Sequence, residues 1–322
     1  MLWIALYLSY ILILLGFLMI IFPTLYISEL VASFLPYMVG MHIFLTAYWL
    51  PKLFIVQWNQ KRFFLAVLHM IGFVYFLLPL YNFYNQSDTA TVLSDTGMTV
   101  LYANISKQNY NYTWLIEMIE SKDPDVVMFV EFADHHDTHI KSFLSQNYPY
   151  INRTSRSKKF VGSMVFSKYP VDDLADDFVQ GAWRYGYFHI TGPLKEYYVY
   201  LVHTSSPISP RNYHMRNEQL VTVAEHVSTH VDSREVDVPV LLLGDLNVSP
   251  WSVFYNRFVT NLSIFSNVTA RFPIAFSWRL KRIPLWWSHI DHVFTTDVDS
   301  LSSLEQVDVP WSDHLGYYFV LE

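Results

Sequence analysis

Asn104, Glu131, His203, Asp245 with Asn247, Asp291, and Asp313 with His314 stand where short apolar runs of this chain stop or start. They are acids, amides and imidazoles without exception. A few carboxylates hold a hard divalent cation such as Mg²⁺ while leaving it several waters. Hydrolysis of a phosphate ester also needs an acid–base pair and donors for the phosphoryl oxygens. The set supplies each part. Any one of these residues alone reads as a turn residue at the end of a strand, so the chemistry rests on their conjunction.

The elements that must position them are short and β-rich. Apolar runs at Thr99–Ala103, Val126–Val130, Gly162–Phe166, Tyr197–Val202, Val240–Leu243, Ile290–Thr295 and Tyr317–Leu321 read as buried strands. Residues 110–121 (YNYTWLIEMIES) and 211–230 (RNYHMRNEQLVTVAEHVSTH) read as helices between them. This alternation predicts a mixed α/β domain over 99–322, with strands inside and helices outside. In such domains ligand sites gather at strand ends and loops, which is where the polar set lies.

Six segments then resemble the endonuclease/exonuclease/phosphatase (DNase I-like) superfamily over about residues 98–322: TVLYANIS, DPDVVMFVEF, GSMVFSKYP, YLVHTSSP, LLLGDLNVSPWS, and IDHVFTT followed by VPWSDHLGYYFVLE. The resemblance implies a four-layer α/β sandwich and a Mg²⁺-dependent phosphoesterase, with Mn²⁺ as a substitute. Position by position it implies Asn104, Glu131 and Asp313 as metal-site residues, with Glu131 the principal ligand. Asp245 would orient or deprotonate the attacking water. His203 and Asn247 would contact the phosphoryl group, and His314 would be polarised by Asp291. A carboxylate behind an imidazole fixes its tautomer and favours its charged form, so that last pair makes physical sense. The first motif lacks the second acid of some nuclease members, which favours one metal over two.

The chain before this domain is of a different kind. Residues 2–22 contain no charge and are long enough to cross a bilayer as a helix; similar runs cover 31–50 and 63–81. A cleaved secretory signal fits poorly, because no basic segment precedes the first run and more apolar sequence follows it. Three spans over residues 1–84 and a polar linker over 85–98 are therefore expected. Lys52, Lys61 and Arg62 sit between the second and third runs, so that loop belongs inside and the catalytic domain faces the periplasm or cell exterior. His42 and His69 lie within the runs and read as packing residues.

Charge bears on the substrate. The net charge is −7, and the first 85 residues hold three cations against Glu29 alone, leaving −9 for the remainder. That is the wrong sign for gripping a nucleic-acid backbone by bulk electrostatics. With no cysteine in the chain, disulfides and thiolate chemistry are excluded. An anchored domain meets lipid headgroups at high effective concentration. Residues 276–292 join Arg279, Lys281 and Arg282 to three tryptophans, which suits either a lipid-facing loop that binds substrate through Arg279 or an aromatic core cluster with a basic edge. Arg156, Lys158 and Lys159 form a further basic run.

The layout also looks like bacterial membrane members of the superfamily associated with glycopeptide resistance, which implies a polyprenyl pyrophosphate or related lipid at the inner membrane. An extracytoplasmic Mg²⁺-dependent nuclease is the alternative enzyme. A catalytically silent membrane protein that binds phosphorylated ligands is the alternative of another class.

Overall fold

The computed structural model describes residues 2–52, 59–85, 97–153, 162–174, 185–232, 238–270, 276–280 and 286–322. The chain forms two compact units, one of residues 1–86 with 248–257, the other of 87–247 with 258–322. Most of the expected linker lies outside the described residues, as do Arg156, Lys158, Lys159, Lys281 and Arg282.

The first unit is helical. Helix α1 (Leu2–Ile21) and helix α4 (Gln60–Tyr84) are each long and apolar enough to cross a membrane. The middle run differs from the single span expected over 31–50. It is broken into α2 (Tyr26–Ala32) and α3 (Leu35–Trp49), bent by 76°. The cause is local: Pro36 lies at the start of α3, where it lacks the N–H that a continuous helix would need. The pair counts as a third span only if taken as one broken element.

Polar side chains inside this unit pair with one another. Trp49 Nε1 donates to Ser9 Oγ at 2.9 Å, and the Nδ1 atoms of His42 and His69 lie 3.1 Å apart. Gly72 makes room for the His42 ring, which a β-carbon there would meet at 2.4 Å. Residues 248–257 add Ser252, whose Oγ donates to Glu29 at 2.7 Å, and Trp251 and Tyr255, whose rings meet Phe83 edge-on.

The second unit is built on two six-stranded sheets. Its elements in chain order are β1 (Met98–Asn104), α5 (Tyr112–Lys122), β2 (Val126–Phe132), α6 (Asp134–Asn147), β3 (Tyr150–Arg153), β4 (Gly162–Ser167), β5 (Val171–Asp173), β6 (Tyr185–Thr191), β7 (Glu196–His203), α7 (Pro210–Asp232) and β8 (Val240–Asp245). These are followed by α8 (Val253–Asn261), which begins in the segment grouped with the helical unit, then β9 (Ser266–Asn267), β10 (Trp278–Arg279), β11 (Trp287–Ser288), β12 (Asp291–Thr295), β13 (Leu301–Asp308) and β14 (Leu315–Leu321). One sheet runs β13-β14-β1-β2-β4-β3 and the other β5-β6-β7-β8-β12-β9.

Alternate residues of the two sheets face each other. Val100, Tyr102, Met128 and Val130 on one side share a core with Val199, Leu201, Leu243 and Val293 on the other. Burying each such side chain contributes about 1.5–3 kcal/mol. The opposite face of the first sheet packs Leu101, Val127 and Phe129 against Leu115 and Ile119 of α5 and Ile140 and Leu144 of α6. Across the second sheet, Tyr187 and Tyr200 meet His226 and His230 of α7. The order is therefore helix, sheet, sheet, helix, the expected DNase I-like arrangement.

Among the described residues each sheet has one parallel pair, β1 with β2 and β7 with β8, joined through a helix as parallel strands require. The turn into β2 shows how the sequence does this. Asp123 adopts a left-handed conformation (φ 40°), its N–H caps the Ile119 carbonyl, and Pro124 stops further helix.

Candidate active site

The parallel pairs deliver their polar residues to one end of the two sheets. Register sets Asn104 beside Val130, and sets His203 and Asp291 on either side of Asp245. Glu131 follows Val130 within an irregularity of the β2–β4 ladder between Phe129 and Phe132, and takes φ 58°. An extra residue there re-aims a side chain that would otherwise alternate with the strand. At the tip of β8, Asp245 Oδ1 accepts from the Asn247 N–H at 2.9 Å. Gly244 just before it has φ 145°, and any β-carbon there would meet the Val202 carbonyl oxygen at 1.8 Å.

The side chains connect across the sheets. Asn104 Nδ2 donates to Asp245 Oδ2 at 3.0 Å and lies 3.4 Å from His314 Nε2. His314 Nδ1 is 2.8 Å from Asp291 Oδ2, whose other oxygen accepts from the Tyr102 hydroxyl at 2.7 Å. His203 Nε2 lies 3.7 Å from Glu131 Oε1 and 3.9 Å from Asp245 Oδ2. Thus Asn104, Glu131, His203, Asp245, Asp291 and His314 form one constellation. Asn247 flanks it, its Nδ2 donating to the Thr204 carbonyl at 3.1 Å.

Two further expected residues, Asp313 and Arg279, lie beside these contacts. The Asp313 carboxylate accepts from Trp278 Nε1 at 3.1 Å, and among the described residues the group of acids and histidines gathered tightly enough to share an ion is Asp245, Asp291 and His314, with ligand atoms within 4.8 Å of one another. Arg279 donates its backbone N–H to the Asp313 carbonyl at 2.8 Å, while its guanidinium lies 3.8 Å from Asp308 and over the Trp287 ring. Its charge is thus shared with an acid outside the constellation.

Electrostatics separate the roles of two buried members, Asp245 and His314. Burial, and then the negative charge of Asp291, push the Asp245 carboxyl well above the usual carboxylate range, partly offset by His314 and the Asn247 N–H. Burial works against the charged form of His314, but the carboxylates of Asp291 and Asp245 outweigh it and hold the imidazole above its ordinary value. The arrangement is an imidazolium backed by one acid, facing a second acid with heightened proton affinity.

A cation fits this donor set. Three carboxylates, Glu131, Asp245 and Asp291, are gathered where their like charges oppose one another, and Asp245 responds by gaining proton affinity. A hard divalent ion would relieve that opposition, since oxygen-rich carboxylate and amide sets suit it. The Asn104 side-chain oxygen Oδ1 accepts from the Ser106 N–H at 3.0 Å and has a second lone pair.

Three contributors were not visible at strand ends. Tyr102 sits inside an apolar strand and its hydroxyl is the only part that matters here. Arg216, fully buried in α7, donates to the Asn247 carbonyl at 2.8 Å. Ser312 Oγ donates to the Asn104 carbonyl at 2.7 Å and accepts from the His314 N–H at 3.1 Å. A serine immediately before the terminal Asp-His step is the one signal the sequence offers for any of them.

The model of the endonuclease/exonuclease/phosphatase family matches residues 101–314. The chain belongs to that family, and with it to the metal-dependent hydrolases of phosphate esters. Solved structures with similar folds include D. rerio TDP2 complexed with single-strand DNA product, at 16% identity and TM-score 0.54 over 71% of this chain and all of that one. They also include the 3′ phosphatase NExo from Neisseria bound to a product DNA hairpin, at 15% identity and TM-score 0.55 over 70% and 99%. Beta toxin from Staphylococcus aureus with bound magnesium ions aligns at 18% identity and TM-score 0.51 over 70% and 100%. At these identities the likeness shows the fold. Comparison with curated protein sequences gives no match.

Proposed function

We propose that the chain is a membrane-anchored, Mg²⁺-dependent phosphoesterase acting on a lipid-linked phosphate ester or pyrophosphate, such as a polyprenyl pyrophosphate, at the outer face of the cytoplasmic membrane. The observation that carries this reading is the constellation linking Asn104, Asp245, His314 and Asp291 by contacts of 2.8–3.4 Å in a chain that also has helices able to span a bilayer.

The residues divide the work as follows. Glu131 and Asn104 would hold the cation, which when bound polarises the phosphoryl group. Asp245, with its raised proton affinity, takes the proton of the attacking water and sets its direction. His314, kept charged by Asp291, donates to the phosphoryl oxygens as negative charge builds on them, and His203 and Asn247 add further donors. Arg216 fixes the backbone of Asn247. No side chain forms a covalent intermediate. The positive loop between the second and third apolar runs supports an exterior catalytic domain, where lipid headgroups are at hand and cytosolic substrates are not.

The test is phosphate release by the purified full-length protein with Mg²⁺, comparing a polyprenyl pyrophosphate, phospholipids, inositol phosphates and DNA. Turnover of the lipid pyrophosphate above the others supports the reading. A second reading, an extracytoplasmic nuclease, draws on the DNA-bound relatives of similar fold. Nicking of plasmid DNA without release from lipids would establish it in place of the first.

A further inference from the structure

The loop that follows Asn104 and the loop that precedes Asp313 are braced tightly to the site and to each other. The Lys107 N–H donates to Glu131 Oε2 at 2.8 Å, Asn109 Nδ2 donates to the Pro310 carbonyl at 2.7 Å, and His136 Nε2 lies 2.8 Å from the Asn109 carbonyl. Yet these loops hold large aromatic rings in water. Tyr110 is 67% exposed, Trp311 62%, and Trp114 at the start of α5 51%.

The rings form two groups. Tyr110 stacks on His135 at 4.4 Å, Tyr112 stacks on His139 at 4.2 Å, and the Trp114 and Trp311 rings are 6.3 Å apart. Trp311 is held at φ 64°, a conformation that a bulky side chain rarely adopts. Trp311 thus holds a large, mostly exposed ring outside the core and beside the reactive loops.

Tyrosine and tryptophan, each with an apolar ring and one polar tip, are the side chains that the headgroup layer of a bilayer selects. Net charge does not draw this part of the chain to an anionic surface, because the sequence after residue 85 carries −9. We propose that Tyr110, Trp114 and Trp311 form an aromatic rim that enters the headgroup layer, so that the loops bearing Asn104 and Asp313 meet their substrate at the lipid surface. This rests on the membrane-anchored reading above. The rim would be a shallow point of attachment next to the chemistry.

The absence of cysteine allows a direct test on the full chain. Single cysteines at 110, 114 or 311, at Leu14 in α1 (56% exposed) and at Ile208 (80% exposed) would be spin-labelled. The labelled proteins would be reconstituted in vesicles of phosphatidylcholine and phosphatidylglycerol. Collisions of each label with oxygen, which concentrates in lipid, would be compared with those of a water-soluble nickel chelate. The expected result is oxygen dominance at 14, a balance shifted towards oxygen at 110, 114 and 311, and nickel dominance at 208. Labels at 110, 114 and 311 that match 208 while 14 reports lipid would overturn the rim and leave the anchor intact. A water-like signal at 14 would remove the anchor itself, and the rim with it.

A second measurement guards against an effect of the labels. Trp114→Ser with Trp311→Ser should reduce turnover of a vesicle-held lipid substrate about tenfold more than turnover of a water-soluble aryl phosphate, as loss of a local attachment would. Equal losses on both substrates would mean that the rings serve folding or the chemistry, and would also overturn the rim.

Discussion

The two sheets of the second unit carry the same device and put it to different uses. At the tip of β1, Asn104 Oδ1 accepts from the N–H two residues on, and that residue, Ser106, takes φ 60°. At the tip of β8, Asp245 Oδ1 accepts from the N–H two residues on, and that residue, Asn247, takes φ 48°. Both are side-chain turns that stop a parallel strand and turn the chain sharply. The first leads to a loop carrying exposed rings; the second leads into a buried one. Where one device ends in an amide and the other in an acid, the amide can donate to the acid, and it does so at 3.0 Å. The reactive charge is thus held on the enclosed side, while the side that reaches outward is electrically neutral at the matching position.

Removing the acid should have the largest effect. Asp245→Ala should lower phosphate release by at least about 10² if the carboxylate activates the water, measured as kcat with saturating Mg²⁺; turnover within a few fold of the parent would refute that role. Making the two devices alike should come next. Asn104→Asp replaces the donor with a second carboxylate, and a loss of about 10- to 10²-fold is expected from the like-charge contact with Asp245, part of it recovered as Mg²⁺ is raised. A variant as active as the parent would show that the amide's hydrogen bond is dispensable.

Tyr102 on the first sheet and Asp291 on the second form another bridge. Tyr102→Phe should reduce stability by about 1.5 kcal/mol, the usual worth of a hydrogen bond to a charged group, read from denaturant unfolding followed at β-sheet wavelengths. An unchanged midpoint would mean that Asp291 finds another donor.

The last effect, on stability and confined to acid pH, sharpens the comparison on the first sheet alone. Burial, and then the neighbouring His135, lower the His136 imidazole to about 4. Its folded value lies below the unfolded 6.5, so the unfolded chain binds the extra proton between those limits. Stability is therefore intact above pH 6.5 and falls towards pH 4, by up to about 1.4 kcal/mol for each unit. His136→Gln should flatten that slope in unfolding measurements made across the same interval; an unaltered slope would assign the acid sensitivity elsewhere.

Much of this was legible before any coordinates, and the exceptions have physical causes. The seven apolar runs lie within seven observed strands, apart from Ile290 at the start of one, because buried strands need β-branched and aromatic residues. Helix α6 was missed. Its sequence DHHDTHIKSFLSQN offers little apolar periodicity, and one of its buried positions is His136, whose ring bonds to Asn109 and Ala133 replace apolar packing. Strand β13 was missed because Ser302 and Glu305 interrupt the alternation at an irregularity in its pairing. The constellation lies at strand ends, which mark where polar groups can stand. Tyr102 and Arg216 are not legible there because one looks like core and the other like a solvated helix cation. Their partners, Asp291 and Asn247, are 189 and 31 residues away, and only the folded chain brings them together.

The grouping of residues 248–257 with the helices bears on how the protein can be handled. Ser252 has its acceptor in Glu29, and Trp251 and Tyr255 have a ring neighbour in Phe83. Trimming away the first 86 residues, the ordinary way to obtain a soluble form of such a protein, would strip Trp251, Ser252 and Tyr255 of these two partners, in the stretch that begins one peptide bond after Asn247. The apolar segment is thus part of what a working preparation must keep, and detergent or lipid discs, rather than a shortened chain, are the route to it.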